Sequence, residues 1–80
     1  FPVPVSEVLN IRFGLLPTGV ERGEVRIFDI QGRLLFNSTV ALTSNQVLSI
    51  EEVAQWPSAM YMLNIRLENG DTMTDKFVKE

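Results

Sequence analysis

The stretch "MYMLNIRLENGDTMTDKFV", residues 60–78, constrains the fold more than any other part of the chain. Tyr61, Leu63, Ile65 and Leu67 recur at every second position, with Asn64, Arg66 and Glu68 between them. An extended backbone puts the first set on one face and the second on the other, whereas a helix would scatter both around its circumference. The stretch is therefore a half-buried strand. Asn69-Gly70 follows it, and both residues tolerate the positive φ of a two-residue type I′ hairpin. Met73, Asp75 and Phe77 then alternate with Thr74, Lys76 and Val78 as the returning strand, and the sequence halts two residues after Val78.

The rest of the chain follows the same grammar. In "FPVPV", Pro2 and Pro4 fix φ and remove two backbone donors, so Phe1–Val5 is an extended arm or an edge strand. Leu9, Ile11 and Phe13 alternate with Asn10 and Arg12 as a second strand, and "GLLPTGVERG" is a loop of about ten residues. Val25 and Ile27 share one face of the next strand, Gln31-Gly32 supplies a turn, and Leu34 to Thr39 return. Phe28 and Ile30 lie opposite Val25 and Ile27, which requires a strand apolar on both sides or a bulge near Asp29. Val47 to Ile50 form a short strand. Ser49 with Glu52 has capping-box spacing, Val53 and Trp56 are i,i+3, and Pro57 limits the helical stretch to about one turn. About six or seven short strands with turns at this spacing predict an all-β fold, an immunoglobulin-like antiparallel β-sandwich. Residues 1–80 form one domain, since 80 residues leave no room for a second core.

Composition removes several classes of function. The chain has neither Cys nor His, so it can build no Ser-His or Cys-His nucleophile and no zinc site with imidazole or thiolate ligands. Its net charge of −3, with the seven Lys and Arg scattered, argues against nucleic acid. No apolar run approaches the ~20 residues of a membrane helix, which argues against direct membrane insertion. The first residue is Phe1 rather than Met, so the chain reads as part of a longer or processed protein, with any signal peptide upstream.

Carboxylates are the remaining catalytic groups. Glu51 and Glu52 point to different sides, while Asp71 and Asp75 share a strand face roughly 13 Å apart, too far for an acid/base pair. An EF-hand spacing is absent, and no cofactor is implied. The chain reads as not an enzyme. Asn37 to Thr39 match an N-glycosylation sequon, but such triplets arise often by chance and a plain hairpin edge is the favoured reading. Met60 and Met62, opposite Tyr61, are either an exposed contact patch or core, and core is the expectation here. Asp29 and Arg33 are expected to pair across the turn made by Gly32, and Lys76 and Lys79 to guard an edge strand.

The order of these motifs resembles a known family. The "FPVPV" opening, "VLNIRF", "VRIFDIQGRLL", "WPSAMYMLNIRL" and the terminal "KFVK" are together similar to the type A C-terminal sorting domain carried by cargo of the type IX secretion system of Bacteroidetes. The resemblance covers essentially all 80 residues. Two positions depart from the family pattern: Val3 stands between the prolines, and Ala59 occupies a position where Gly is usual. If that position needs φ > 0, Ala59 is strained.

The resemblance implies a folded export address. Cargo enters the periplasm in transit on an ordinary signal peptide, the outer-membrane translocon recognises the domain, and a sortase removes it. The cargo then stays at the cell surface or becomes extracellular. On this reading Lys76, Phe77, Val78 and Lys79 are the translocon-recognition residues, and Asp29, Gly32 and Arg33 shape the hairpin. Backbone groups at a sheet edge offer affinity by strand addition. The alternatives are an accessory immunoglobulin-like module that binds or spaces a secreted enzyme, and a fimbrial or structural subunit. In solution a monomer or an exchanged dimer is expected.

Overall fold

The computed structural model describes residues 4–5 and 7–80, so Phe1, Pro2 and Val3 of the proposed arm lie outside the described residues. Among the described residues seven strands form two sheets: β1 (Pro4–Val5), β2 (Leu9–Arg12), β3 (Arg22–Asp29), β4 (Leu34–Ala41), β5 (Val47–Ile50), β6 (Ala59–Leu67) and β7 (Thr72–Lys79). The larger sheet has the order β1-β7-β6-β3-β4, and β2 pairs with β5 in the smaller one. All pairings are antiparallel except β1 with β7, which run parallel with Pro4 opposite Val78 and Val5 opposite Lys79. The described end of the proline-rich opening is thus an edge strand, where a missing proline N–H does no harm to a ladder.

The core lies between the sheets. Val25 and Ile27 of β3 and Tyr61, Leu63, Ile65 and Leu67 of β6 face Leu9 and Ile11 of β2, Ile50 of β5, and Phe13, Val20, Leu42 and Val53 from the connections. The inner row of β7 closes it with Phe77, which is 1% exposed. At one end Trp56, Tyr61 and Phe77 form an aromatic file, with ring centroids 5.2 Å apart for the first pair and 5.6 Å for the second. The Tyr61 hydroxyl donates to the Pro57 carbonyl at 2.6 Å, which satisfies its polar tip inside the core.

The bulge expected near Asp29 is present. The β3–β4 register shifts between Ile27, opposite Phe36, and Phe28, opposite Leu34, leaving Leu35 as the extra residue. β3 begins earlier than the loop reading allowed. Gly23 is already in the strand, and a side chain is absent there because Leu42 Cδ1 would stand 2.7 Å from a Cβ.

Three expectations are corrected. Asn69 does not take positive φ; among the described non-glycine residues only Asn45 does. The β6–β7 connection is a three-residue loop rather than a type I′ turn. Gly70 N–H donates to the Leu67 carbonyl, Leu67 N–H donates to the Asp71 carbonyl, and Gly70 takes φ +97°. This is the pattern of a turn closed by a left-handed glycine in a G1 bulge. Ser49 makes no capping box with Glu52. Its hydroxyl donates across the small sheet to Asn10, and the 3₁₀ turn Glu52–Gln55 begins without a side-chain cap. Met60 and Met62 are not core: the two-stranded sheet covers one face of the larger sheet, and the methionines are on the other. Ala59 is the first residue of β6 and has no positive φ, so it carries no left-handed strain.

Candidate recognition surface

The turn after β3 is built around one carboxylate. Asp29 Oδ1 accepts from the backbone N–H of Gln31 and of Arg33, each at 2.9 Å, and Oδ2 accepts from Arg33 Nε at 2.7 Å. Gly32, at φ +87°, closes the loop by donating its N–H to the Asp29 carbonyl. The two hairpins of the large sheet therefore use the same loop, with Gly32 and Gly70 in equivalent places. The Arg33 backbone N–H, together with its guanidinium, holds the Asp29 carboxyl below its ordinary carboxylate range. Asp29 lies opposite Tyr61. Burial, with a smaller contribution from the Asp29 charge, raises the Tyr61 phenol above its usual value. The expected Asp29–Arg33 pair is thus formed, and Asp29 does more than pair. It fixes the backbone of the turn.

The terminal strand divides its residues by parity. Phe77 and Lys79 point inward, Lys76 and Val78 outward. Lys79 is only 7% exposed, and its Nζ donates to the carbonyls of Trp56 and Glu80, both at 3.2 Å. That tie fastens the end of β7 to the 3₁₀ turn. Lys79 is therefore an anchor in this fold rather than an exposed edge guard, and Phe77 is core.

The outer face of the large sheet brings the two motifs together. Val78 lies opposite Met60, Lys76 opposite Met62, Met62 opposite Phe28, and Phe28 opposite Leu34. Directly opposed residues share a face at about 4.5–5.5 Å between Cβ atoms, so these six form one continuous surface. Met60, Met62, Val78 and Leu34 are exposed, and Ile30 projects from the adjoining turn at 69% exposure. Beside this apolar half lies a polar half, where Arg26 Nη2 donates to Asn64 Oδ1 at 3.0 Å and Asn64 Nδ2 to Thr74 Oγ1 at 3.2 Å. The Arg26 guanidinium also stands 5.9 Å from the Phe28 ring centroid, at the boundary between the halves.

Among the described residues no group of three or more acidic side chains is placed to hold a metal ion. A depression of about 530 Å³ opens between the Gly14–Pro17 loop and the start of β7, with the buried Leu63 and Ile65 in its lining. Asp71 and Asp75 stand on its rim. The Asp71 carboxylate is engaged by Asn69 Nδ2 at 3.1 Å.

Reading the sequence alone did not assemble Phe28, Met60, Met62 and Leu34 into a site. The signal was there, since Phe28 and Ile30 were out of phase with Val25 and Ile27, and Met60 and Met62 with Tyr61. What alternation lacked was which face the second sheet covers.

A family profile described as a secretion system C-terminal sorting domain matches residues 1–80. In the comparisons with curated proteins and with solved structures, nothing matches.

Proposed function

Because the chain belongs to the family of type IX secretion C-terminal sorting domains, we propose that the outer face joining the Asp29–Arg33 turn to the end of β7 is what the export machinery reads. A domain of this family is a type IX secretion sorting signal: it engages that machinery, and the protein bearing it passes outward to the surface or the extracellular space. In our reading the contact is made by the outer-membrane translocon on a domain that has folded in the periplasm, and a sortase then removes it from its cargo.

The observation that carries this reading is the register Leu34–Phe28–Met62–Lys76 with Met60–Val78, which makes one surface from two motifs far apart in sequence. Exposed methionines suit such a role. Their unbranched, polarisable side chains repack against a partner at little conformational penalty. Lys76 and Arg33 at the margin add charge that sets orientation more than affinity. A strand-addition contact, in which an extended segment of the receptor pairs with a sheet edge, would add backbone affinity to these side-chain contacts.

The test is export of a fluorescent reporter fused ahead of residues 1–80, in a bacterium with a working type IX system. Met62→Glu and Lys76→Glu, alone and together, alter exposed groups and leave the core intact. The expected result is reporter held in the periplasm with the domain still folded. Export at the unaltered level would overturn the assignment of this face, and the accessory-module reading would gain.

A further inference from the structure

We propose that β4 is a docking edge for a second copy of this chain, paired antiparallel about a two-fold axis through Ser38. This does not depend on the export reading, because it rests on a different edge of the sheet.

The first observation is that β4 is long and undefended. It is the outermost strand of the large sheet, with no strand on its outer side among the described residues. Exposed edges are ordinarily blunted by charge, proline, shortness or cover. The other edges here are blunted in those ways. β7 carries Asp75 and Lys76 and has β1 at its end, β2 ends in Arg12, and β5 has only four residues. β4 runs for eight residues as Leu-Leu-Phe-Asn-Ser-Thr-Val-Ala, without a charge or a proline. Its one irregularity, the bulge at Leu35, lies at the extreme start.

The second observation is that the core is unfinished along the same edge. The inner row of β4, Phe36, Ser38 and Val40, is only half-buried, although Phe36 and Val40 pack against the core cluster. Apolar side chains left partly wet along an unpaired strand are what a neighbouring sheet would cover.

A second copy fits both. In an antiparallel pair, directly opposite residues lie on the same face, so an axis through a residue keeps inner rows together and puts both small sheets on one side. With the axis at Ser38, Phe36 meets Val40 of the other copy, Leu35 meets Ala41, Asn37 meets Thr39, and Ser38 meets itself. On the inner row apolar meets apolar on either side of the central Ser38 pair. On the outer row an amide meets a hydroxyl, and nowhere does a charge meet its own copy. A self-complementary patch of this kind defines an isologous interface, which closes at two subunits. Seven residue pairs are a small contact, so the dimer dissociates on dilution.

Sedimentation equilibrium of the 80-residue chain over about two decades of concentration tests this directly, since mass action must draw the average mass from one chain toward two. The exposed pair Asn37 and Thr39 sets the register test. N37K/T39K puts lysines opposite lysines across the axis and should hold the chain at one chain mass throughout. N37E/T39K puts a carboxylate opposite an ammonium across the axis. Within one chain it also sets the new carboxylate against Arg26 and the new ammonium against Glu24, so it should shift the transition to lower concentration. Thermal melts of both variants at the dilute end verify that each is folded. A single chain mass for the unaltered protein at every concentration overturns the proposal. A dimer that ignores both pairs of substitutions also overturns it, because the copies then meet elsewhere, as in an exchange of N-terminal arms. Equal disruption by both pairs would refute the Ser38 register.

Discussion

Phe77 separates an address that is read from a strand that is merely held, and substituting it distinguishes the two. Its side chain is 1% exposed and stacks 5.6 Å from the Tyr61 ring, which in turn meets Trp56. Phe77→Ala removes the ring and leaves a cavity at the closed end of the core, which costs about 3–5 kcal/mol. A domain of this size has about 4–12 kcal/mol of total stability. The alanine variant therefore loses from about a quarter of that stability to all of it, and its failure to export would not separate lost recognition from lost folding. Phe77→Leu keeps the site apolar and mostly filled. It loses the aromatic pairing and some volume, about 1–2 kcal/mol. At this length that is a drop in Tm of roughly 5–15 °C. Melting followed by Trp56 fluorescence reads the stability, and the reporter fusion reads export. The expected result is a folded, less stable Phe77→Leu domain that exports normally, beside a folded Lys76→Glu domain that does not. The opposite pairing, a folded leucine variant that stays in the periplasm and a Lys76→Glu variant that leaves, would refute the claim that Phe77 acts only through the core.

Three further outcomes follow from the geometry. Tyr61→Phe leaves the Pro57 carbonyl without its 2.6 Å donor, and urea titration should show a loss of about 1 kcal/mol with the aromatic file intact. Gly32→Ala meets nothing within 4 Å but forces φ +87° on an L-residue, so a loss of about 1–2 kcal/mol arises from backbone strain alone, and Gly32→Asn should recover part of it. Asp29 is held below its ordinary pKa of 3.8, so its contribution is present above that value and is lost as pH falls through the lower folded-state value. Asp29→Asn should remove that part of the acid transition in a pH-dependent melt, and an unchanged acid limb would show that other carboxylates govern it.

Strand positions were legible in the sequence wherever one face was buried, because alternation records burial directly. Val47 to Ile50 is the clearest case, with its bounds found to the residue. The paired Asp29 and Arg33 were legible too, since a turn glycine between them left one short-range arrangement. What failed were features decided by distant parts of the chain. Ser49 has capping-box spacing, yet Asn10 lies opposite it in the small sheet and accepts its hydroxyl. Asn69-Gly70 suits a type I′ turn, but the register from Arg66 opposite Thr72 outward leaves three residues to be bridged, which selects the bulged loop. Met60 and Met62 show the same limit. Their alternation was plain, but their exposure depends on a two-stranded sheet that covers one face of a five-stranded one.

The parity of the last strand bears on how a folded export signal would work. Lys76 and Val78 point out, while Phe77 and Lys79, on intervening positions, are packed against the aromatic file and tied to the Trp56 carbonyl. In a strand the outward pair is held in place only while the inward pair is buried. Within our proposal, a receptor that reads Lys76, Val78 and the neighbouring methionines therefore also senses whether the domain has folded, since an open β7 presents those side chains in no fixed geometry. Lys79→Met tests the coupling. It keeps the apolar stem and removes the donor to Trp56, at about 1 kcal/mol, while leaving every outward residue unchanged. If export needs a folded surface, hydrogen exchange at the end of β7 should quicken and export should fall in proportion to the fraction of domains open there. Full export from a variant whose last strand has frayed would mean that an extended tail is read, and that the sandwich is dispensable to its recognition.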